Sequence, residues 1–314
     1  MKKKHLIIAA LASMMATTAS AETIGVSMAL FDDNFLTVLR NGMTDYAKTQ
    51  KDVTLQIEDA QNDVGKQLSQ VQNFVASGVD AIIVNPVDTD ATVALSQAAD
   101  AAGIPLIYVN RMPVNVDQLP EKQAFVASDE KESGTLETKE VCRLLKEAGK
   151  TEAKAVVMMG ELSNQAARMR TQDIKDVIAT PECSFIKIVE EQTANWSRTQ
   201  GADLMTNWLS AGVRFDAVIA NNDEMAIGAI QSLKAAGKDM KSVIVAGVDA
   251  TQDALASMAA GDLDVTVFQN AAGQGNGAVD AALKIVRGEK IEKKVYVPFE
   301  LVTPANLKDY QAKN

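Results

Sequence analysis

IGVSMALFDDNFLTVLRNGM, residues 24 to 43, is the stretch whose reading decides the fold. Residues 24–30 are an apolar run of the length of a buried strand. Asp32, Asp33 and Asn34 break the run, and Phe35, Leu36, Val38, Leu39 and Met43 then return at helical spacing. Strand, polar turn and helix make half of a βαβ unit. Ligands of open α/β sheets sit beyond the carboxyl ends of the strands, at such turns. This turn offers a carboxylate, Asp33, and a ring, Phe35, two residues apart. The pair suits a ligand with hydroxyls on its edge and C–H groups on its face. Read locally, Asp33 equally serves as a helix cap and Phe35 as a core residue.

Outward from this unit, strand and helix patterns alternate to the end of the chain. Strands are expected at 53–57, 81–84, 105–109, 155–159, 185–189, 217–220, 243–246 and 265–268. Amphipathic helices are expected at 65–77, 91–102, 130–147, 165–178, 198–211 and 225–236. The alternation predicts an α/β protein with parallel sheets. In 314 residues these units are too many for one open sheet, so two lobes are expected. A faint internal repeat agrees. Val84-Asn85, Gly103 and Asn110 recur as Ala220-Asn221-Asn222, Gly237 and Asp249, each set spanning strand, helix, capping glycine and strand. No low-complexity linker is present, so the lobes should join by ordinary strands crossing near 127–129, 269–270 and 300–302. The domain reading is residues 22–127 plus 270–300 for one lobe, and 128–269 plus 301–314 for the other. Gly273, Gly275 and Gly277 do not have the spacing of a phosphate loop and read as small residues on a packed helix.

The amino terminus reads as an export signal. Lys2, Lys3 and Lys4 precede an apolar segment, 6–15, and Ala19-Ser20-Ala21 offers a small-residue cleavage site after residue 21. The only histidine, His5, would leave with it, which excludes Ser-His-Asp and Cys-His catalysis and histidine metal sites. Loss of the three lysines takes the formal charge from −10 to −13, which argues against nucleic acid as a partner. Cys142 and Cys183 are too few for a zinc site or a disulfide framework. They form one bridge or remain two thiols, and the reading leans toward thiols.

Several segments together resemble the ribose- and galactose-type family of periplasmic sugar-binding proteins, which serve ABC importers. They are DDNF at 32–35, VNPVD at 84–88, IPLIYVNR at 104–111, AAR at 166–168, ANNDEMAIGA at 220–229, VAGVDATQD at 245–253 and RGEK at 287–290. The resemblance runs over the whole mature chain. It implies a periplasmic binding protein of type I, with two Rossmann-like lobes joined by a three-crossing hinge and closing on one sugar or polyol. It places ligand contacts on Asp33, Phe35, Asn110, Arg111, Arg168, Trp196, Asn222, Asp249 and Gln269, with Asn164 as a further member. Ribose binders typically carry Asn at position 33, Asp at 110 and a second Phe at 36. Glucose/galactose binders carry an acidic calcium loop and a histidine near position 162, and both are missing here. DDNFLTVLRNG with VNRMP is most similar to inositol- and rhizopine-binding members.

The residue chemistry agrees with a polyol. Carboxylates accept from vicinal hydroxyls, arginine presents fixed donors, and amides both donate and accept. Phe35 and Trp196 can cover the apolar faces of a six-membered ring. Two acids and two arginines leave no formal net charge, which favours a neutral ligand, myo-inositol above an amino-substituted one. The expectation is a periplasmic, monomeric solute-binding protein without catalytic residues, cofactor or metal. Its partners would be a small neutral polyol or sugar and an ABC permease in the inner membrane, with a chemoreceptor as a further candidate. The alternatives are galactose, glucose, ribose or rhizopine as ligand. A different class is an exported sugar-active enzyme using Asp33 and Asp249 as paired carboxylates; flanking arginines would keep both ionised and leave no acid. A sugar-responsive repressor would need an N-terminal helix-turn-helix where the signal peptide stands.

Overall fold

In the computed structural model, which describes residues 21–313, the opening pattern becomes β1 (Glu22–Met28) and α1 (Asn34–Thr49). The expected signal peptide lies, apart from Ala21, outside the described residues. The chain continues through β2 (Val53–Asp59), α2 (Val64–Ser77), β3 (Ala81–Val84), α3 (Thr92–Ala101), β4 (Leu106–Val109) and β5 (Gln123–Ala127). Then come α4 (Glu130–Glu147), β6 (Ala153–Met159), α5 (Gln165–Ile178), β7 (Ile186–Thr193), α6 (Arg198–Ser210), β8 (Ala217–Ala220) and α7 (Asp223–Ala235). The last elements are β9 (Ile244–Ala246), α8 (Gln252–Ala259), β10 (Thr266–Gln269), α9 (Ala271–Val286), β11 (Lys294–Tyr296) and β12 (Phe299–Val302).

Two sheets result. The first has the order β11-β5-β4-β3-β1-β2, parallel throughout. The second, β7-β6-β8-β9, is also parallel, and single bridges at Ala246–Val265 and Asp249–Phe268 extend it to β10. β12 pairs antiparallel with β10, the one departure from parallel geometry among the described strands. Each sheet is covered on both faces by helices, which is why strands such as AIIV, LIYV and AVIA are apolar without alternation.

The chain passes between the sheets three times. It leaves the first after β5 and enters α4, returns from β10 through Asn270 to α9, and leaves again between β11 and β12. The last passage spans 297–298, a few residues before the expected 300–302, because Phe299 already pairs with Gln269. α9 packs on α1. There a Cβ on Gly275 would lie 2.6 Å from the Leu39 carbonyl oxygen and 2.9 Å from the Met43 nitrogen, so only glycine permits that approach.

The lean toward free thiols is overturned: Cys142 on α4 and Cys183, in the α5–β7 connection, form a disulfide, with Cα atoms 5.8 Å apart. Both belong to one buried cluster with Val141, Leu145, Ile174 and Val177, which brings them within bridging reach.

Candidate functional site

Most of the residues singled out in the sequence follow the carboxyl ends of strands, and the two sheets turn those ends toward each other. Asp33 follows β1, and Asn110 and Arg111 follow β4. Asn164 follows β6, Trp196 β7, Asn222 β8 and Asp249 β9, while Gln269 ends β10. With Phe35, Leu36, Ala166 and Arg170 they line one cavity.

Helix capping and cavity lining turn out to be compatible roles. Asp33 accepts from the Leu36 amide at 2.7 Å through Oδ1 alone, and a carboxylate has a second oxygen. Asn222 caps α7 by accepting from Met225 at 3.1 Å, while its Nδ2 donates to the Trp196 carbonyl at 3.2 Å. Asn110 is held at both ends, accepting from Asn85 at 3.3 Å and donating to Gln274 at 3.2 Å. Arg111 is buried and donates to the Pro86 carbonyl at 3.0 Å.

Asn110, with φ 66°, and Asp249, with φ 122°, both sit in left-handed backbone, as do Asn195 and Trp196 at 51° and 63°. Such conformations cost about 1–3 kcal/mol each and persist where the surroundings enforce them, commonly at ligand sites. Two buried polar atoms in the lining lack a protein partner: the Asn164 Oδ1 acceptor and the Trp196 Nε1 donor.

Arg168 is a correction. Its side chain is 40% exposed, pairs with Asp90 at 3.1 Å and donates to the Leu162 carbonyl at 2.6 Å, away from the cavity. Arg170 takes the place in the lining expected of it. Two residues are about 200° apart on a helix, so they point to opposite sides of α5. The sequence carried the signal: Ala167, Arg170, Ile174 and Val177 form the buried stripe, whereas Arg168 aligns with Gln172 and Lys175. Arg170 binds Glu130 through two bonds, Nε at 2.8 Å and Nη2 at 3.0 Å, and donates to the Asn221 carbonyl at 2.7 Å and to Gln269 at 3.1 Å. Asp249 lies 3.8 Å away. Glu130, Glu161 and Gly160 are further site-shaping residues that sequence reasoning missed, because their neighbours there come from distant parts of the chain.

Burial raises the carboxyl pKa values of Asp33 and Glu161 above their ordinary range, and that of Asp249 well above it. Arg111 works against this for Asp33 and Glu161, as Arg170 does for Asp249. Burial lowers the Arg111 pKa, opposed by Glu161 and Asp33. Each cavity arginine therefore already faces a carboxyl group outside the lining, Glu130 or Glu161, and carboxyl groups outnumber guanidinium groups around the cavity. Among the described residues no cluster of side chains is suited to hold a metal ion, and no helix is long and apolar enough to cross a membrane.

Across the cleft, Asn34 donates to Glu224 at 2.7 Å, Asn62 to Glu161 at 3.0 Å, and the Thr89 amide to the Ser163 carbonyl at 3.1 Å. Two sheets clasped over a polar cavity are the geometry of a solute trap, and a periplasmic binding protein domain matches residues 24–290. The chain belongs to the periplasmic binding protein family. It is 69% identical over 312 residues to a provisionally assigned rhizopine-binding protein of Rhizobium meliloti, covering 99% of this chain and 100% of that one. It is 32% identical to a ribose import binding protein of Bacillus subtilis, covering 90% and 87%. Among solved structures it superposes with TM-score 0.88 on an ABC transporter solute-binding protein of Bacillus halodurans with bound myo-inositol, at 44% identity, covering 95% and 100%. A Caulobacter myo-inositol binding protein with bound myo-inositol gives TM-score 0.84 at 28% identity, covering 93% and 96%. Members of this family bind solutes and do not transform them, and this periplasmic binding protein is accordingly not an enzyme.

Proposed function

We propose that this protein captures a single-ring cyclic polyol, most simply myo-inositol, and presents it to an ABC permease in the inner membrane. The observation that carries the proposal is the composition of the cavity. Asp33, Asp249, Asn110, Asn164 and Arg111 supply donors and acceptors for a ring edge, and each lobe contributes one aromatic wall, Phe35 or Trp196. The myo-inositol complexes among its structural neighbours support the same reading. Residues 128–129, 270 and 297–298 would act as the hinge, and the bonds across the cleft would stabilise the closed state.

A specific observation favours a second ligand, an amino-substituted inositol of the rhizopine kind. The surplus of carboxyl over guanidinium groups around the cavity would stabilise an ammonium group, and the 69% identical relative points the same way. Calorimetric titration of ligand-free protein with myo-inositol, an amino-inositol, glucose, galactose and ribose tests both. Binding of the two inositols alone supports the polyol reading, and their ratio identifies the physiological class. Binding confined to ribose, glucose or galactose refutes it.

A further inference from the structure

We propose that Gly160 is a positioning residue that sets the depth of the ligand cavity by seating the Trp196 indole; this rests on the reading of the cavity as a ring-binding site. Gly160 follows β6 directly. A Cβ added there would lie 2.2 Å from Trp196 Cζ2 and 2.3 Å from Cε2 and Cη2, so the six-membered half of the indole rests on the glycine backbone. Gly160 does not have the positive φ that would itself call for glycine. Its backbone accepts any residue, and the ring is what excludes a side chain.

Both backbones are tied in place. The Gly160 amide donates to Asn221 Oδ1 at 3.1 Å, and its carbonyl accepts from the Thr193 hydroxyl at 2.8 Å. Trp196 stands on two consecutive left-handed residues, and its carbonyl is held by Asn222 at 3.2 Å. The Arg170 guanidinium, fixed by Glu130, lies 5.6 Å from the ring centroid. Ordinary contact begins near 3.4 Å, so a methyl group at position 160 displaces the indole by about 1 Å, and the open direction is the cavity. The wall would then occupy space that a six-membered ring needs.

The test is a double-mutant cycle on the full chain, with myo-inositol and amino-inositol affinities measured by calorimetry for the parent, Gly160→Ala, Trp196→Phe and the double variant. A phenylalanine ring lacks the outer atoms that meet position 160. Gly160→Ala is expected to weaken binding about tenfold or more with Trp196 present and less than about twofold with phenylalanine there, a coupling that independent sites do not show. Tryptophan emission gives a second readout: Trp196 and Trp208 are the only tryptophans, and Trp208 is buried in the core, so Gly160→Ala should shift the ligand-free spectrum only while Trp196 is present. Equal losses in both backgrounds, or no loss in either, overturn the proposal. So does misfolding of Gly160→Ala in both backgrounds, since the demand for glycine would then come from the strand end. Absence of polyol binding by the parent instead refutes the functional reading, and the melting temperatures of the four proteins still measure the coupling.

Discussion

Replacing Arg170 by methionine asks whether one buried cation holds the second lobe's half of the site together. Its side chain is 4% exposed and makes two bonds to Glu130, one to the Asn221 carbonyl and one to Gln269, with Asp249 at 3.8 Å. Methionine fills much of the volume and supplies none of the charge. Glu130, itself 5% exposed, then stays buried without its partner. Breaking one side of a buried ion pair costs about 3–5 kcal/mol. At about 2–4 °C per kcal/mol for a chain of this size, the melting temperature should fall by about 6–20 °C. Arg168→Met is the control; its pair with Asp90 is solvent-exposed and contributes at most about 1 kcal/mol. Thermal unfolding of ligand-free protein followed by circular dichroism, at pH 5 and pH 8, separates the two. Burial already raises the pKa values of Asp249 and Glu137, and Arg170 opposes that rise in both. Without the arginine these groups take up protons more readily in the folded state than in the unfolded state. The stability this provides is present at low pH and lost as pH rises, so the deficit should be smaller at pH 5. A melting temperature within about 2 °C of the parent, or equal deficits for the two arginine variants, refutes this account of the site.

Asp33→Asn keeps a good helix cap and removes a charge, so it should leave stability within about 0.5 kcal/mol of the parent while weakening polyol binding about 10- to 100-fold; calorimetry beside a urea titration checks both. Reducing the Cys142–Cys183 bridge, which closes a separation of 41 residues, should cost about 4 kcal/mol, read as a lower urea midpoint for the double alanine variant. Asp173 has its pKa raised to about 7, first by burial and then by Glu130, Asp176 and Asp129. Its contribution is complete below the ordinary aspartate range and disappears as pH rises through about 7, so stability should fall between pH 4 and pH 7. Asp173→Asn should flatten that slope, and an unchanged slope would assign the effect to other groups.

The strand-turn-helix at 24–43, the alternation that follows it and the capping glycines at 103 and 237 were legible because each depends on residues close in sequence; both glycines adopt the positive φ expected of them. The polar residues at strand ends were legible for the same reason, since a parallel strand delivers its successor residue to one edge of the sheet whatever surrounds it. β5 is not among the expected strands, although QAFVA is wholly buried, because its apolar run is only four residues long and so short a run does not declare its state. The choice between Arg168 and Arg170 is available in the periodicity of α5, yet the motif at 166–168 draws attention to the wrong face of the helix. What the sequence by itself determined is the set of elements and the chemistry at their ends. Only the tertiary structure decided that Cys142 meets Cys183 and that Trp196 rests on Gly160. Those are contacts between residues 36 and 41 apart in the chain, set by how helices and loops pack on two sheets and not by any local preference of the residues concerned.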